Sequence, residues 1–145
     1  MLESGDYLST EPGFLLSRLI KQYQTKDKIV IAYDFDDTVR PYYSAGCEEV
    51  QSVLRMSERV LDPYFIVFTS NSNHEEIKRF LSDQKIPFDS INENAPFVGF
   101  IKPGEKLFYN VLLDDKCGLG ETVQTLKTLN RLVLNGVITK EKLNV

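Results

Sequence analysis

The sequence predicts an α/β fold built on an open parallel sheet, and three observations carry that prediction. Apolar runs of strand length, Ile29–Tyr33, Tyr64–Phe68 and Leu107–Leu113, alternate with stretches of helical period. These runs are continuous rather than alternating, the pattern of strands buried on both faces. Each ends abruptly in polar residues, at Asp34–Thr38, Thr69–Asn71 and Asp114–Asp115. In an open parallel sheet the carboxyl ends of the strands lie along one edge, where ligands bind, so residues far apart in sequence meet there.

Thr10-Glu11-Pro12 reads as a helix start, with Pro where its missing N–H costs nothing. Phe14, Leu15, Leu16, Leu19, Ile20 and Tyr23 give that helix an apolar face to about Gln24. The first strand follows at Ile29–Tyr33. Arg40–Gly46, rich in Pro, Tyr, Ser and Gly, reads as a loop or small hairpin. Val50, Val53, Leu54, Val60 and Leu61 mark a helix over Glu48–Leu61, which Pro63 stops. The second strand is Tyr64–Phe68. Ser72 and Glu75 form a capping-box pair that opens a helix to about Ser82. Ile86–Ile91 is a weaker strand, and the Gly-interrupted Phe97–Ile101 fits either type. The third clear strand is Leu107–Leu113. After Gly118 and Gly120 a last helix runs over about Glu121–Leu134.

With 145 residues, 42% hydrophobic and 26% charged, the chain reads as one compact domain, 1–145. A net charge of −4 excludes a chain-wide basic footprint for nucleic acid, though not a local basic groove. The longest stretch without a charged residue, Pro63–His74, is too short and polar to span a membrane. No apolar segment marks a secretion signal in Met1–Thr10. Cys47 and Cys117 are too few for a disulfide framework, so a cytoplasmic location with reduced thiols is expected. A single histidine excludes a multi-histidine metal cage.

An isolated acid pair at a strand end is commonly a solvated loop. Here two acidic clusters, Asp34/Asp36/Asp37 and Asp114/Asp115, end two apolar strands. Brought within a few ångströms of one another, these carboxylates cannot all ionise without a cation. A hard divalent ion with oxygen ligands answers that need, and Mg²⁺ suits a site shared with waters and a substrate phosphate.

The motifs Asp34-Phe35-Asp36-Asp37-Thr38, Phe65–Phe68 followed by Thr69, and Leu107–Leu113 followed by Asp114-Asp115 stand in the order seen in one known family. The chain resembles the haloacid-dehalogenase (HAD) superfamily of aspartate-nucleophile phosphatases over Ile29 to about Leu119. That family also has a lysine before the last strand. Lys102, which precedes Pro103, and Lys106, eight positions before Asp114, both qualify, and the tighter spacing slightly favours Lys106.

The resemblance implies a three-layer, doubly wound parallel sheet and a Mg²⁺-dependent phosphomonoesterase. Asp34 corresponds to the nucleophile that forms an aspartyl-phosphate, and Asp36 to the general acid and base. Thr69 and Ser70, with Lys106 or Lys102, would bind phosphoryl oxygens. Asp34, Asp36 through its carbonyl, Asp115, and Asp114 beside it would form the metal set. Retention of an acid at Asp36 points to phosphatase chemistry rather than dehalogenation. The 31 steps from Thr38 to Thr69 and the 37 from Thr69 to Lys106 leave no room for a cap domain. Capless relatives accept large substrates or borrow a cap from a neighbouring subunit. The expected partner is therefore a phosphorylated small molecule, nucleotide or nucleic-acid end, and a homo-oligomer is one arrangement the resemblance allows.

Arg40, Tyr42 and Tyr43 fall in the loop flanking the mouth. There Arg40 could contact phosphate and the tyrosines stack a base, or the loop could simply pack on itself. Neither cysteine has an assigned histidine base, which argues against a thiol nucleophile. A signalling receiver domain uses the same residue types, but its acid pair opens the series and its lysine closes it, the reverse of the order here. A noncatalytic Mg²⁺-binding relative is the other alternative.

Overall fold

The computed structural model describes residues 13–25, 28–42, 47–98 and 106–140. In chain order the elements are α1 (Phe14–Thr25), β1 (Val30–Asp34), α2 (Glu48–Leu61), β2 (Tyr64–Phe68), α3 (His74–Asp83), β3 (Ser90–Ile91), β4 (Val111–Leu113) and α4 (Leu119–Leu134). The expected α/β class and parallel sheet are both present. All strands run parallel in the order β3-β2-β1-β4. The expected helix start at Thr10-Glu11-Pro12 lies outside the described residues, as do Tyr43–Gly46 and Gly99–Ile101.

The two faces of the sheet are covered differently. Ile31, Tyr33, Phe65, Val67, Val111 and Leu113 point to a core shared with Leu19 of α1, Val50 and Leu54 of α2, Ile77 and Leu81 of α3, and Leu126 of α4. Their alternates Val30, Ala32 and Ile66 face Ala95, Val98, Leu107 and Phe108, which belong to the β3–β4 connection. Right-handed crossovers account for this split. The chain moves one way across the sheet from β1 to β3, with α2 and α3 on one face. It then reverses to reach β4, so that connection must cross the other face. The reversal leaves a switch point between β1 and β4.

The last two strands are shorter than expected. β4 starts at Val111 rather than Leu107, because side chains take over the backbone of the segment before it. Asn94 Nδ2 donates to the Lys106 carbonyl at 2.7 Å, and its Oδ1 accepts the Phe108 N–H at 2.6 Å. Asn110 Oδ1 accepts the Val30 N–H at 2.7 Å. Likewise Asp89 Oδ2 accepts the Phe65 N–H at 2.8 Å, which leaves only Ser90–Ile91 of the expected Ile86–Ile91 in the ladder. At α3 the cap is Asn73, not Ser72. Its side chain accepts the Glu76 N–H, so the pair sits one residue later than the sequence pattern suggests. α4 begins two residues early, at Leu119, because Gly118 adopts the left-handed backbone (φ 61°) that turns the chain out of β4. No helix among the described residues is long and apolar enough to cross a membrane.

Two leucines of α4 test the packing. Leu126 is fully buried and Leu134 is 64% exposed. Leu126→Ala should cost about 2–5 kcal/mol, through lost transfer energy and a cavity. Leu134→Ala should stay within about 0.5 kcal/mol. Urea unfolding of both variants measures the difference.

Candidate active site

Asp34 is the last residue of β1, and the chain turns sharply beyond it. The Phe35 carbonyl accepts the N–H groups of Thr38, Val39 and Arg40, while Asp37 N–H donates to the Arg40 carbonyl at 2.7 Å. Asp37 sits at φ 63°, a left-handed conformation that Asp tolerates better than most residues. This turn buries Phe35, Thr38 and Val39 completely and returns Arg40 alongside Asp36.

Strand pairing then assembles the carboxylates. Tyr33 is in register with Leu113, so Asp34 and Asp114–Asp115 leave the sheet side by side. Asp34, Asp114 and Asp115 each place a carboxylate oxygen within 4.8 Å of the others. The buried Thr38 hydroxyl lies between them, 3.3 Å from both Asp34 Oδ2 and Asp115 Oδ1, and accepts the Asp115 N–H at 3.1 Å. Its single proton can serve only one carboxylate at a time. Asp114 Oδ1 accepts the Lys116 N–H.

Burial and the neighbouring acids raise the Asp34 pKa from an ordinary 3.8 to about 6. Burial is the largest cause, followed by a hydrogen bond with Asp115 and the charge of Asp114. The Phe35 N–H and Thr38 hydroxyl pull the other way without offsetting these. A proton thus partly fills the role a cation would fill more completely. The donor set is all oxygen and half-exposed, which fits a hard ion such as Mg²⁺.

The other expected residues take varied positions. The Asp36 carboxylate is not in the triad; its Oδ1 accepts from Arg40 Nε at 3.0 Å and Nη2 at 2.7 Å. Arg40, considered above as a phosphate contact, also donates to Glu76 at 2.6 Å. Thr69, just beyond β2, exchanges backbone bonds with the Asn92 side chain, and its hydroxyl accepts the Asn71 N–H at 3.0 Å. Ser70 next to it is exposed. Lys106 is exposed, and its carbonyl accepts from Asn94 Nδ2. Lys102 lies outside the described residues. Tyr42 is 63% exposed, its N–H held by Asp37 Oδ1.

Burial raises the Cys47 thiol pKa, and Asp37, Glu48 and Asp115 push it further up. That disfavours a thiolate nucleophile beside the site. Sequence reasoning assigned no task to Thr38, although it stood inside the motif, nor to Glu76 and Asn92. Their partners are 36 and 23 residues away, and no local pattern signals such contacts.

The raised pKa fixes a sign for stability. Between about pH 4 and 6 the native state holds a proton on Asp34 that the unfolded chain has released, so stability falls as pH rises through that window. Solvent screening at a half-exposed carboxyl limits the effect to about 1 kcal/mol. Metal-free protein should therefore lose a few degrees of Tm from about pH 4 to 7 relative to Asp34→Asn, which lacks this titration. Thermal scans of both proteins across that range measure it.

Comparison with protein-family models, with curated proteins and with solved structures finds no match for this chain.

Proposed function

We propose that the chain is a Mg²⁺-dependent phosphomonoesterase of the haloacid-dehalogenase type, capless and cytoplasmic, acting on a small phosphate ester, a nucleotide or a nucleic-acid end. The observation that carries this reading is the convergence of Asp34, Asp114 and Asp115 at the switch point of a parallel sheet, with Asp36 two residues beyond Asp34. In the order β3-β2-β1-β4 the Thr69 end of β2 lies on the side of Asp34 opposite β4, which supports a phosphate-binding role for Thr69.

In this mechanism an Asp34 oxygen bonds to phosphorus as the ester P–O bond breaks, and Asp36 gives a proton to the departing oxygen. Asp36 then takes a proton from water as it attacks the aspartyl-phosphate, releasing phosphate and restoring Asp34. Thr69 and Ser70, with Lys102 or Lys106, hold the phosphoryl oxygens. Asp34, Asp115, Asp114 and the Asp36 carbonyl would hold Mg²⁺, which offsets the negative charge of nucleophile and substrate and polarises the phosphoryl group. Thr38 fixes the carboxylates on either side of it.

The alternative reading is a Mg²⁺-binding protein without turnover. Phosphate release from a panel of phosphomonoesters separates the two. The phosphatase reading expects release with Mg²⁺, its loss in EDTA, and at least a tenfold drop in Asp34→Asn, about 1.4 kcal/mol of barrier. Turnover that survives thorough chelation, or an Asp34→Asn protein near the wild-type rate, contradicts it. Mg²⁺ binding with no release on any ester favours the second reading.

A further inference from the structure

Arg40 has no part in the mechanism above, yet its guanidinium is held on three sides. Nε and Nη2 donate to Asp36 Oδ1, and Nη1 donates to Glu76 Oε1. Below it the buried Phe35 ring lies 4.6 Å away, itself packed edge-on against Phe80 of α3. The Arg40 side chain is 19% exposed. Glu76 is held in turn, because its Oε2 accepts from Asn73 Nδ2 at 3.0 Å. A chain of contacts thus runs from the cap of α3 through Glu76 and Arg40 to Asp36.

Both of the Arg40 bonds to Asp36 fall on the same carboxylate oxygen. Among the described residues, Asp36 Oδ2 takes part in no hydrogen bond. A carboxyl group that hands over a proton needs one oxygen clear of cations and a fixed direction in which to present it. A forked guanidinium supplies that direction better than an ammonium does, because its donors are coplanar and pre-set.

We infer that Arg40 is a positioning residue for Asp36: it ties Oδ1 to α3 and leaves Oδ2 for proton transfer. The inference rests on the phosphatase reading and adds α3, through Glu76, to the parts that aim the acid. An ordinary surface ion pair would be indifferent to the leaving group. A positioning role is not, because loss of an aimed acid matters most where the departing oxygen is a poor leaving group.

Single-turnover cleavage of an alkyl phosphate and of a nitrophenyl phosphate, both with Mg²⁺, makes the distinction. Arg40→Ala should slow the alkyl ester by about 10–100-fold, part of the 10²–10⁴ that an acid contributes, and the nitrophenyl ester by less than about threefold. Glu76→Gln should shift both in the same direction by less. In an Asp36→Asn background, Arg40→Ala should make no further distinction between the esters. Thermal unfolding accompanies each variant, and if Arg40→Ala does not fold, Glu76→Gln decides.

Equal losses on the two esters overturn the inference, as does a rise in KM alone, which would make Arg40 a phosphate ligand. A wild-type protein that cleaves both esters, with an Asp36→Asn loss confined to the alkyl ester and indifferent Arg40 and Glu76 variants, overturns the inference and leaves the phosphatase reading standing. A wild-type protein that cleaves neither removes the reading and the inference together.

Discussion

Because β1 pairs in parallel with β4 over Ile31–Tyr33 and Val111–Leu113, the chain must bring Asp34 and Asp114–Asp115 to one edge, whatever their charges cost each other. The apolar contacts of Ile31, Tyr33, Val111 and Leu113 with the helices hold the strands together, and the carboxylates ride on the strand ends. Fold stability and charge repulsion thus meet at one place. Burial, with Asp115 and Asp114 alongside, raises the Asp34 pKa to about 6. Groups perturbed in this way by burial and a like charge are the ones that gather at functional sites.

Around that constraint the neighbouring residues make sense as restraints. Thr38 is fully buried with its hydroxyl 3.3 Å from both Asp34 and Asp115, so it can donate to either carboxylate, one at a time. The turn from Phe35 to Arg40 sets Asp36 beside Arg40, which also bonds Glu76 of α3. Two carboxylates two residues apart therefore occupy different environments. Asp34 is crowded by acids, while Asp36 is paired with a cation.

Much of this was legible in the sequence. α2 and β2 match their expected limits, since Pro63 and the left-handed cap at Asp62 fix the boundary between them. The strand-end clusters identified Asp34, Asp114 and Asp115, because continuous apolar runs that stop in acids leave few alternatives. The rest failed for physical reasons. Asn94, Asn110 and Asp89 replace ladder bonds with side-chain bonds, so apolar runs overstate β4 and β3. The partnership of Arg40 with Glu76 joins a turn to a helix, and only the folded chain brings them together.

The central claim is that Asp34 takes up phosphorus while Asp36 handles the protons. Its most direct test is rapid quenching of Asp36→Asn protein mixed with Mg²⁺ and nitrophenyl phosphate, then digestion and mass spectrometry. A good leaving group departs with little help, whereas hydrolysis of the intermediate lacks its base, so the account predicts a burst of nitrophenol and phosphate trapped on Asp34. Phosphate on Asp114 or Asp115, or steady turnover at the wild-type rate with nothing trapped, would contradict it.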